Sequence, residues 1–377
     1  MDKVSIVRCD DYDYKKVRAS VYGAIELLGG MSKFVTKGSK VLVKPNLLKK
    51  APVEKNVTTN PVVFRAVLEA VRDAGAKAVV AESPGGFYSK GILQNLYKAS
   101  GIGQAAADAG AELSFDTDTS EVKFDDGVQT KTLELIKPAV ETDACISVAK
   151  LKTHELMMYT GAVKNLFGLI PGVKKVEYHF RVPEQKQFGD MLVDIERCIK
   201  PVFSLIDGVY GMEGDGPSAG QTRKIGAVIA SPSAHAADIA ALKIIGMDPE
   251  HVFTVQCAIE RGIIGLGDIE YLGEPVENLY ISDYKFPKSH ARLLDNHVPG
   301  AMGRAIENYA KPRPVIPKKK CVGCGVCLKN CPAKALELKD KVVVIDYKKC
   351  INCYCCHELC PEDIIKIKRP FVFKLFK

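Results

Sequence analysis

Several features are missing from this chain, and each absence removes a class of protein. No segment of the 377 residues approaches the run of about 18 apolar residues that a membrane-spanning helix needs. The first residues also lack the profile of a secretory signal peptide. We therefore expect a cytoplasmic protein without a membrane span.

Two common active-site signatures are also missing. The chain contains no G-x-x-x-x-G-K-[ST] sequence, which excludes a P-loop, and it contains no G-x-S-x-G nucleophile elbow. Residues 101–106 imitate a dinucleotide-binding fingerprint, but they follow a helix-like segment, whereas that fingerprint follows a strand. These absences leave the type of main-domain chemistry open.

Charge of neither sign dominates the chain. The 53 Lys+Arg and 45 Asp+Glu residues leave a formal charge of +8, which is modest and spread along the sequence. This distribution does not predict a nucleic-acid partner. Hydrophobic residues make up 47% and charged residues 26% of the chain, which is ordinary globular composition and argues against long disorder.

Strand-like and helix-like segments alternate through residues 1–307. Apolar strands are predicted near residues 4–9, 40–44, 78–82, 144–149, 202–207 and 225–231. Helices are predicted near residues 14–28, 60–73, 90–109 and 233–245. This alternation predicts an α/β main domain with a largely parallel sheet, built as one lobe or as two with a boundary within residues 116–150.

Cysteine is scarce before residue 321 and dense after it. Nine of the 13 cysteines lie between Cys321 and Cys360, and the pattern C-x₂-C-x₂-C-x₃-C-P occurs twice, starting at Cys321 and at Cys350. A disulfide scaffold would spread its bridges through a short secreted chain, so we interpret this density as thiolate–metal chemistry. Residues 308–320, with three prolines and three final lysines, predict a semi-extended linker before the repeat.

The doubled cysteine pattern resembles that of two-cluster bacterial ferredoxins over about residues 312–370. The resemblance implies a small α+β ferredoxin-like domain over residues 321–377 that holds two 4Fe–4S clusters with crossed ligation. One cluster would use Cys321, Cys324, Cys327 and Cys360, and the other Cys350, Cys353, Cys356 and Cys331. Zinc is the alternative, but it takes four ligands and does not need eight cysteines with trailing prolines. Cys355 falls outside the pattern, and we expect it to point away from the cluster, with a reactive thiol as the alternative.

Polar residues follow three of the predicted strands, where the ligands of parallel α/β sheets bind. Lys44 and Asn46 lie at the end of the strand near residues 40–44. A block over residues 150–179 with five lysines and two histidines follows the strand near residues 144–149, and a glycine-rich acidic loop over residues 207–217 follows the strand near residues 202–207. Strand caps, turns and exposed lysines, including Lys174 and Lys175, are the structural alternatives.

The same stretches resemble the family called domain of unknown function 362 over about residues 30–260. The strings that carry the resemblance are VLVKPNLL, KLKTHELMMYTGAVKNLFGLIPG and GMEGDGP…GAVIASPSAHAADIAALKIIGMDP. The resemblance implies frequent fusion to a ferredoxin-like module and no settled reaction.

The middle block is also similar to the lactate-racemase family, in which a lysine carries a nickel-pincer nucleotide and a later histidine ligates nickel. His154, Lys164, residues 171–172 and His179 follow that family's order. The chain departs from it at residues 160–163, where a racemase has a glycine pair and an arginine. The similarity implies a shared fold and pocket position.

Three functions follow from these patterns. The first is an iron–sulfur oxidoreductase that passes electrons to an anionic small molecule and uses a redox partner protein. The second is a non-enzymatic electron carrier or maturation/scaffold protein, and the third is a racemase-like enzyme with a nickel-type cofactor. The residues assigned to the pocket are His154 as general acid/base, Lys164 as anion contact or covalent attachment, His179 as second proton donor or metal ligand, and Lys44, Asn46, Lys152, Asn165, Glu213 and Asp238 as substrate-binding groups.

The crossed ligation predicts a specific metal content and a specific mutant phenotype. Protein prepared anaerobically should contain about eight iron and eight sulfide per chain, because two cubanes form. Cys360→Ser should damage the cluster held by Cys321, Cys324 and Cys327, which electron paramagnetic resonance of the reduced protein would detect. Damage confined to the cluster of Cys350 would contradict the crossed assignment.

Overall fold

A computed structural model describes residues 1–287 and 312–368, which form a central nine-stranded sheet and a small cysteine-rich region. Eight strands follow the order β11-β1-β10-β9-β7-β2-β3-β4, and β8 pairs with β7. Five of the eight strand pairings are parallel and three are antiparallel. The strands are β1 (Asp2–Arg8), β2 (Lys40–Pro45), β3 (Lys77–Val80), β4 (Glu112–Leu113), β5 (Thr119–Lys123), β6 (Thr132–Ile136), β7 (Ala144–His154), β8 (Met158–Thr160), β9 (Phe203–Glu213), β10 (Gln221–Ser231), β11 (Ile269–Gly273), β12 (Arg313–Val315), β13 (Leu336–Lys339), β14 (Val342–Ile345) and β15 (Lys366–Lys368).

Helices cover both faces of the sheet. They are α1 (Tyr14–Leu27), α2 (Pro61–Asp73), α3 (Lys90–Ala99), α4 (Ile102–Ala109), α5 (Pro138–Glu141), α6 (Ala162–Asn165), α7 (Gly172–Arg181), α8 (Gln185–Ile199), α9 (Ala234–Ile244), α10 (Phe253–Glu260), α11 (Val326–Lys329) and α12 (Cys355–Leu359). Their starts follow local chemistry: Asn60 accepts a hydrogen bond from the Val62 amide, and Pro61 occupies the first position of α2. The predicted α/β class and largely parallel sheet are confirmed.

The strand sequences explain why both faces are covered. In β2, Val41 and Val43 pack in one apolar cluster with α1 and α2, whereas Leu42 packs in another with Phe188 of α8. Side chains of a strand alternate between the faces, so a strand with consecutive apolar residues such as 41–43 needs a cover on each side. A third cluster, with α9 and α10, covers β9 and β10 on the face where Ile206 and Ile229 lie.

The cysteine-rich region lies against the main sheet through ion pairs and hydrogen bonds. Lys49 pairs with Asp363 at 2.5 Å and donates to the Cys360 carbonyl at 2.7 Å. From the other side of this contact, the His357 ring bonds the Asp215 carbonyl at 3.2 Å and the Ser218 hydroxyl donates to the Glu358 carbonyl. The helix that carries Cys356, together with the segment that follows it, is therefore anchored to two loops at the strand ends.

Parts of the predicted organisation differ from the structure or lie outside it. The strand predicted near residues 225–231 is the end of β10, which runs antiparallel to both neighbours because it forms a hairpin with β9. Within residues 116–150, β5 and β6 form a separate hairpin. The linker stretch includes β12, which pairs with β15. Residues 288–311 and 369–377 belong to the predicted main domain, linker and ferredoxin-like domain but lie outside the described residues, so the domain limits stay a prediction.

Transmembrane character is not seen in the described part of the chain. None of its helices combines the length and the apolar character that crossing a bilayer requires.

One buried ion pair beneath the strand ends should be important for stability. Asp207 pairs with Lys150 at 3.0 Å, both side chains are fully buried, and Asp207 also accepts from the Asn60 amide and the Tyr12 hydroxyl. Asp207→Asn leaves Lys150 without a counter-charge, so we expect a loss of about 3–5 kcal/mol in the free energy of unfolding.

Urea denaturation followed by circular dichroism measures this loss. Asp10→Asn is the matched control, because Asp10 pairs with Lys224 at an exposed position, where removal costs about 0–1 kcal/mol. Equal effects of the two substitutions would contradict the importance of the buried pair.

Candidate functional site

A cavity of about 80 Å³ lies where β2 and β7 end. Four lysines, two histidines and two glutamates contribute to its wall, so it is far more polar than the core around it. The charged and imidazole groups that line it are Lys44, Lys152, Lys164, Lys175, His154, His179, Glu82 and Glu358. Asn46 and Asn165 complete the polar lining. Seven of the nine main-domain residues predicted for the pocket are thus brought together.

Lys44, at the end of β2, has a carboxylate partner and donates three hydrogen bonds. Its ammonium donates to Glu82 Oε2 at 2.5 Å, to Asn165 Oδ1 at 3.0 Å and to the Pro45 carbonyl at 2.9 Å. Burial lowers the pKa of Lys44 and raises the pKa of Glu82, while the attraction between them opposes both shifts. Gly168 makes room for the pair, because a Cβ there would lie 2.5 Å from the Lys44 nitrogen and closer still to Glu82.

Lys152, at the end of β7, lacks such a partner. Its nitrogen donates to Asn46 Oδ1 at 2.7 Å and to the Val57 carbonyl at 2.8 Å, which uses two of its three protons. Within the described residues no carboxylate lies within 4 Å of it. Burial, and then the charge of Lys164, hold the pKa of Lys152 well below its usual value. Lys152 is therefore a buried cation without a matched anion.

His154 is fixed in one tautomer by the backbone. Its Nδ1 accepts hydrogen bonds from the amides of Leu156 at 3.1 Å and Met157 at 3.2 Å, so the ring proton sits on Nε2. Burial and the nearby Lys164 lower the pKa of His154 to about 4. The Nδ1 lone pair of the neutral ring is thus engaged by the backbone, and the general acid/base role of His154 stays a prediction. The geometry makes His154 a hydrogen-bond donor into the cavity.

The Nε2 atom of His154 faces a carboxylate from the cysteine-rich region. Glu358 Oε1 lies 3.2 Å from it, yet neither atom forms a well-aligned hydrogen bond with any described residue. Burial opposes ionisation of Glu358, but His154 and Lys164 nevertheless hold its pKa below the usual range. Both atoms are buried polar groups in need of a partner.

Lys164 and His179 reach the cavity from α6 and α7. Lys164 Nζ lies 5.8 Å from the ring centre of Phe167, and no carboxylate of the described chain is within ion-pair distance of it. The His179 ring stacks on Phe188 at 4.5 Å, and burial lowers the pKa of His179 to about 4. The histidine is therefore neutral at pH 7, and the lysine presents an unpaired amine.

Two predicted residues lie outside the cavity. Asp238 accepts from the amides of Ala162 and Val163, so it caps the start of α6 and does not line the cavity. Glu213 lies at the far end of β9, which continues past the cavity into the hairpin with β10, and it contacts Lys285. The prediction that these two residues bind substrate does not fit their positions; Asp238 supports the segment that carries Lys164.

Sequence reasoning did not assign Glu82, Lys175 or Glu358 to the pocket. Glu82 ends the third predicted strand, so the strand-end rule that selected Lys44 would have selected it as well. Lys175, treated above as an exposed alternative, donates to the carbonyls of Ser83 and Pro84 from the first turn of α7. Glu358 comes from another part of the chain, and no local pattern predicts its position.

Cysteines surround two smaller cavities of about 20 Å³ each. Cys321, Cys324, Cys327 and Cys360 line one; Cys331, Cys350, Cys353 and Cys356 line the other, together with Cys355. These groupings fit the crossed ligand sets. Among the described residues, no group of three or more His, Cys, Asp or Glu side chains is placed to hold a metal ion. Val343 and Ala335 direct amides at the sulfurs of Cys321 and Cys331.

Cys355 occupies a shared wall. It lines the second cysteine cavity and also the large polar cavity, so the expectation that it would point away as an ordinary small side chain does not describe its place. Glu358 and Leu359 of the same helix line the polar cavity as well. Helix α12 thus separates the two cavities with a single layer of side chains.

Two families match the chain. The family described as "Domain of unknown function (DUF362)" matches residues 41–243, and the family described as "4Fe-4S dicluster domain" matches residues 320–364. The chain is also 32% identical over 320 residues to a thylakoid-associated protein of Synechocystis sp., a match that covers 83% of this chain and 89% of the relative. The resemblances to DUF362 and to a two-cluster ferredoxin module are confirmed.

Solved structures give more distant similarities. The lactate racemase apoprotein from Thermoanaerobacterium thermosaccharolyticum is 12% identical with a TM-score of 0.38, over 64% of this chain and 57% of that one. A protein from Thermotoga maritima is 13% identical with a TM-score of 0.33, over 55% and 52% of the two chains. The chain thus spans just over half the length of each structure.

Lys175 offers a test of the cavity's electrostatics. Burial lowers the pKa of Lys175 to about 7, and Lys44 and Lys164 act in the same direction against Glu82. At pH 8 its amine should be mostly uncharged and nucleophilic, whereas hydrogen bonds to Glu177 and Glu134 raise the pKa of the adjacent Lys174. Acetic anhydride should therefore acetylate Lys175 with a midpoint near pH 7.

Peptide mass spectrometry across a pH series measures both lysines in the same sample, with Lys174 as the internal control. Identical pH profiles for the two amines would show that the cavity does not desolvate Lys175.

Proposed function

The chain belongs to the DUF362 family and is an iron–sulfur protein, and we propose that it is an oxidoreductase that passes electrons through two 4Fe–4S clusters to an anionic small molecule. The acceptor binds in the polar cavity at the ends of β2 and β7. A redox protein exchanges electrons with the clusters. The compartment is the cytoplasm, and nucleic acid is not a partner because the positive charge is modest and spread out.

The observation that supports this proposal is the wall that α12 forms between the second cysteine cavity and the polar cavity. Cys355 borders both the second cysteine cavity and the polar cavity, and Glu358 and Leu359 of the same short helix also line the polar one. A carrier or scaffold has no need of a lysine- and histidine-lined cavity directly beside a cluster. Electron transfer between groups separated by one layer of side chains needs no further relay, and 4Fe–4S clusters supply single electrons when bound.

The exposure of the cysteines supports an order for the clusters. Cys324 of the first set is exposed, and the neighbouring Val322 side chain is 64% exposed, so the first cluster site lies near the surface. The second set lies beside the polar cavity through Cys355. Electrons therefore enter from the partner at the first site and leave for the cavity from the second.

The cavity residues then have separate tasks. Lys152 and Lys164, which lack matched anions, hold the acceptor, and the Nε2 proton of His154 donates to it. Lys175, whose pKa burial lowers to about 7, is poised to give a proton as negative charge builds up on the reduced acceptor. His179, stacked on Phe188, shapes the cavity as a neutral group. Lys44 and Glu82 are already paired and form its rigid edge.

Reoxidation of reduced protein tests the proposal. Anaerobic holoprotein is reduced with dithionite, freed of excess reductant and mixed with a panel of small carboxylates and phosphate esters, while the visible absorbance of the clusters is followed. One class of anion should reoxidise the clusters in a single turnover, since no excess reductant is present. Lys164→Ala should retain cluster content and reduction but lose at least tenfold in the reoxidation rate, because the anion loses its unpaired cation.

Lys174→Ala is the control, since its side chain is 40% exposed and pairs with Glu134 and Glu177 outside the cavity. Full turnover in Lys164→Ala would show that the block over residues 150–179 is structural. Cluster reduction with no turnover for any anion would favour the carrier or scaffold function. Stoichiometric nickel in the purified protein would favour the racemase-like one.

A further inference from the structure

We infer that the polar cavity binds a compact dianion of the phosphate type, such as the phosphoryl group of a phosphate monoester. This inference rests on the proposed function and narrows the class of its anionic acceptor: the phosphate group is the part that the cavity holds, and a separate reducible group of the same molecule takes the electrons. It is drawn from the balance of charges in the cavity, from the donors left without partners and from the kind of cations that line it.

With all four lysines protonated, the side-chain charges in the cavity leave an excess of two. Four lysines face two glutamates, and Lys44 is already matched by Glu82 at 2.5 Å. Glu358 then stands against Lys152, Lys164 and Lys175, none of which has a carboxylate within 4 Å in the described part of the chain. A buried excess of this kind is costly, and a ligand with two negative charges removes it.

Donors without partners aim into the same space. The Nε2–H of His154 is buried, with a side chain 1% exposed, and has no aligned acceptor among the described residues. Lys152 keeps a third proton beyond its bonds to Asn46 and Val57. The ten-residue helix α7 borders the cavity along one side, because Gly172, Lys175 and His179, three and four residues apart, all line it.

The cations favour a tetrahedral group over a planar one. Arginine, whose flat fork suits a carboxylate, does not occur among the described residues that line the cavity. The three lysines without carboxylate partners come from β7, α6 and α7, so they approach from separate directions. Point charges arranged around a centre fit oxygen atoms arranged around phosphorus better than two oxygens in one plane.

Proton uptake should accompany binding. Burial lowers the pKa of Lys152, Lys164 and Lys175 in the free protein, and the neighbouring Lys44 contributes in the same direction, opposed by Glu82 and Glu358. His154 and His179 also face the site and are neutral at pH 7. An arriving dianion favours the charged lysines and raises their pKa values, so near pH 8 the complex takes protons from the buffer.

Calorimetric titration of anaerobic holoprotein with inorganic phosphate, malonate and acetate tests the inference directly. We expect phosphate to bind at least tenfold more tightly than acetate and more tightly than malonate. In buffers of different ionisation enthalpy at pH 8, the phosphate titration should show net proton uptake. Lys164→Met should weaken phosphate binding at least tenfold, whereas Lys174→Met should leave it unchanged, with iron content and melting temperature confirming that both variants fold.

Each of the other possible results overturns a specific part of the inference or of the proposed function. Acetate binding as tightly as phosphate would overturn the dianion and leave the anion site of the proposed function in place. Malonate binding more tightly would overturn the phosphate type. Phosphate binding that Lys164→Met does not change would place the ion elsewhere and overturn the inference. Binding of none of the three anions would overturn both the inference and the anionic acceptor of the proposed function.

Discussion

The burial of lysine amines at the ends of two neighbouring strands is the constraint on which the rest of this structure depends. A buried ammonium group needs hydrogen-bond acceptors or a counter-charge, and the buried lysines of this chain differ in which of these they receive. Lys150 and Lys44 each receive a carboxylate, from Asp207 and Glu82. Lys152 receives only neutral oxygens. The two paired lysines are held in place by their carboxylates. Lys152 lacks a counter-charge and can therefore still interact with a ligand in the cavity.

Neighbouring elements can be understood as supports for that arrangement. Asp238 holds the start of α6 and so directs Lys164, and Gly161 at that turn allows the approach, because a Cβ there would lie 2.1 Å from the Asp238 carboxylate. The backbone after β7 turns back on His154 and fixes its tautomer. Substitutions at these supporting positions change the geometry of the cavity without touching it, so their effects on binding and on stability are linked.

Much of the fold could be predicted from the sequence, because its signals are local. Asn60 and Pro61 mark the start of α2, and the apolar strands before Lys44 and Lys152 mark where polar side chains gather. The rule that polar residues at strand ends line the site failed at Glu213, because β9 extends into a hairpin that carries its end away from the cavity. It also missed Cys355 and Glu358, since their place depends on how the cysteine-rich region lies against the sheet. Contacts such as that of Lys49 with Asp363 leave no periodic or spacing signal in either segment.

The wall formed by α12 has a consequence for how the protein is assembled. Its residues follow the rest of the described cavity lining in the chain by more than 130 positions, and the cysteines on either side of Glu358, Cys356 and Cys360, line the two cysteine cavities. During synthesis the main sheet emerges with one side of its cavity open. Closure waits until the cysteine-rich segment has been translated and has folded against the sheet. Because α12 lines both the polar cavity and a cysteine cavity, we expect assembly of the metal sites and completion of the polar cavity to be coupled.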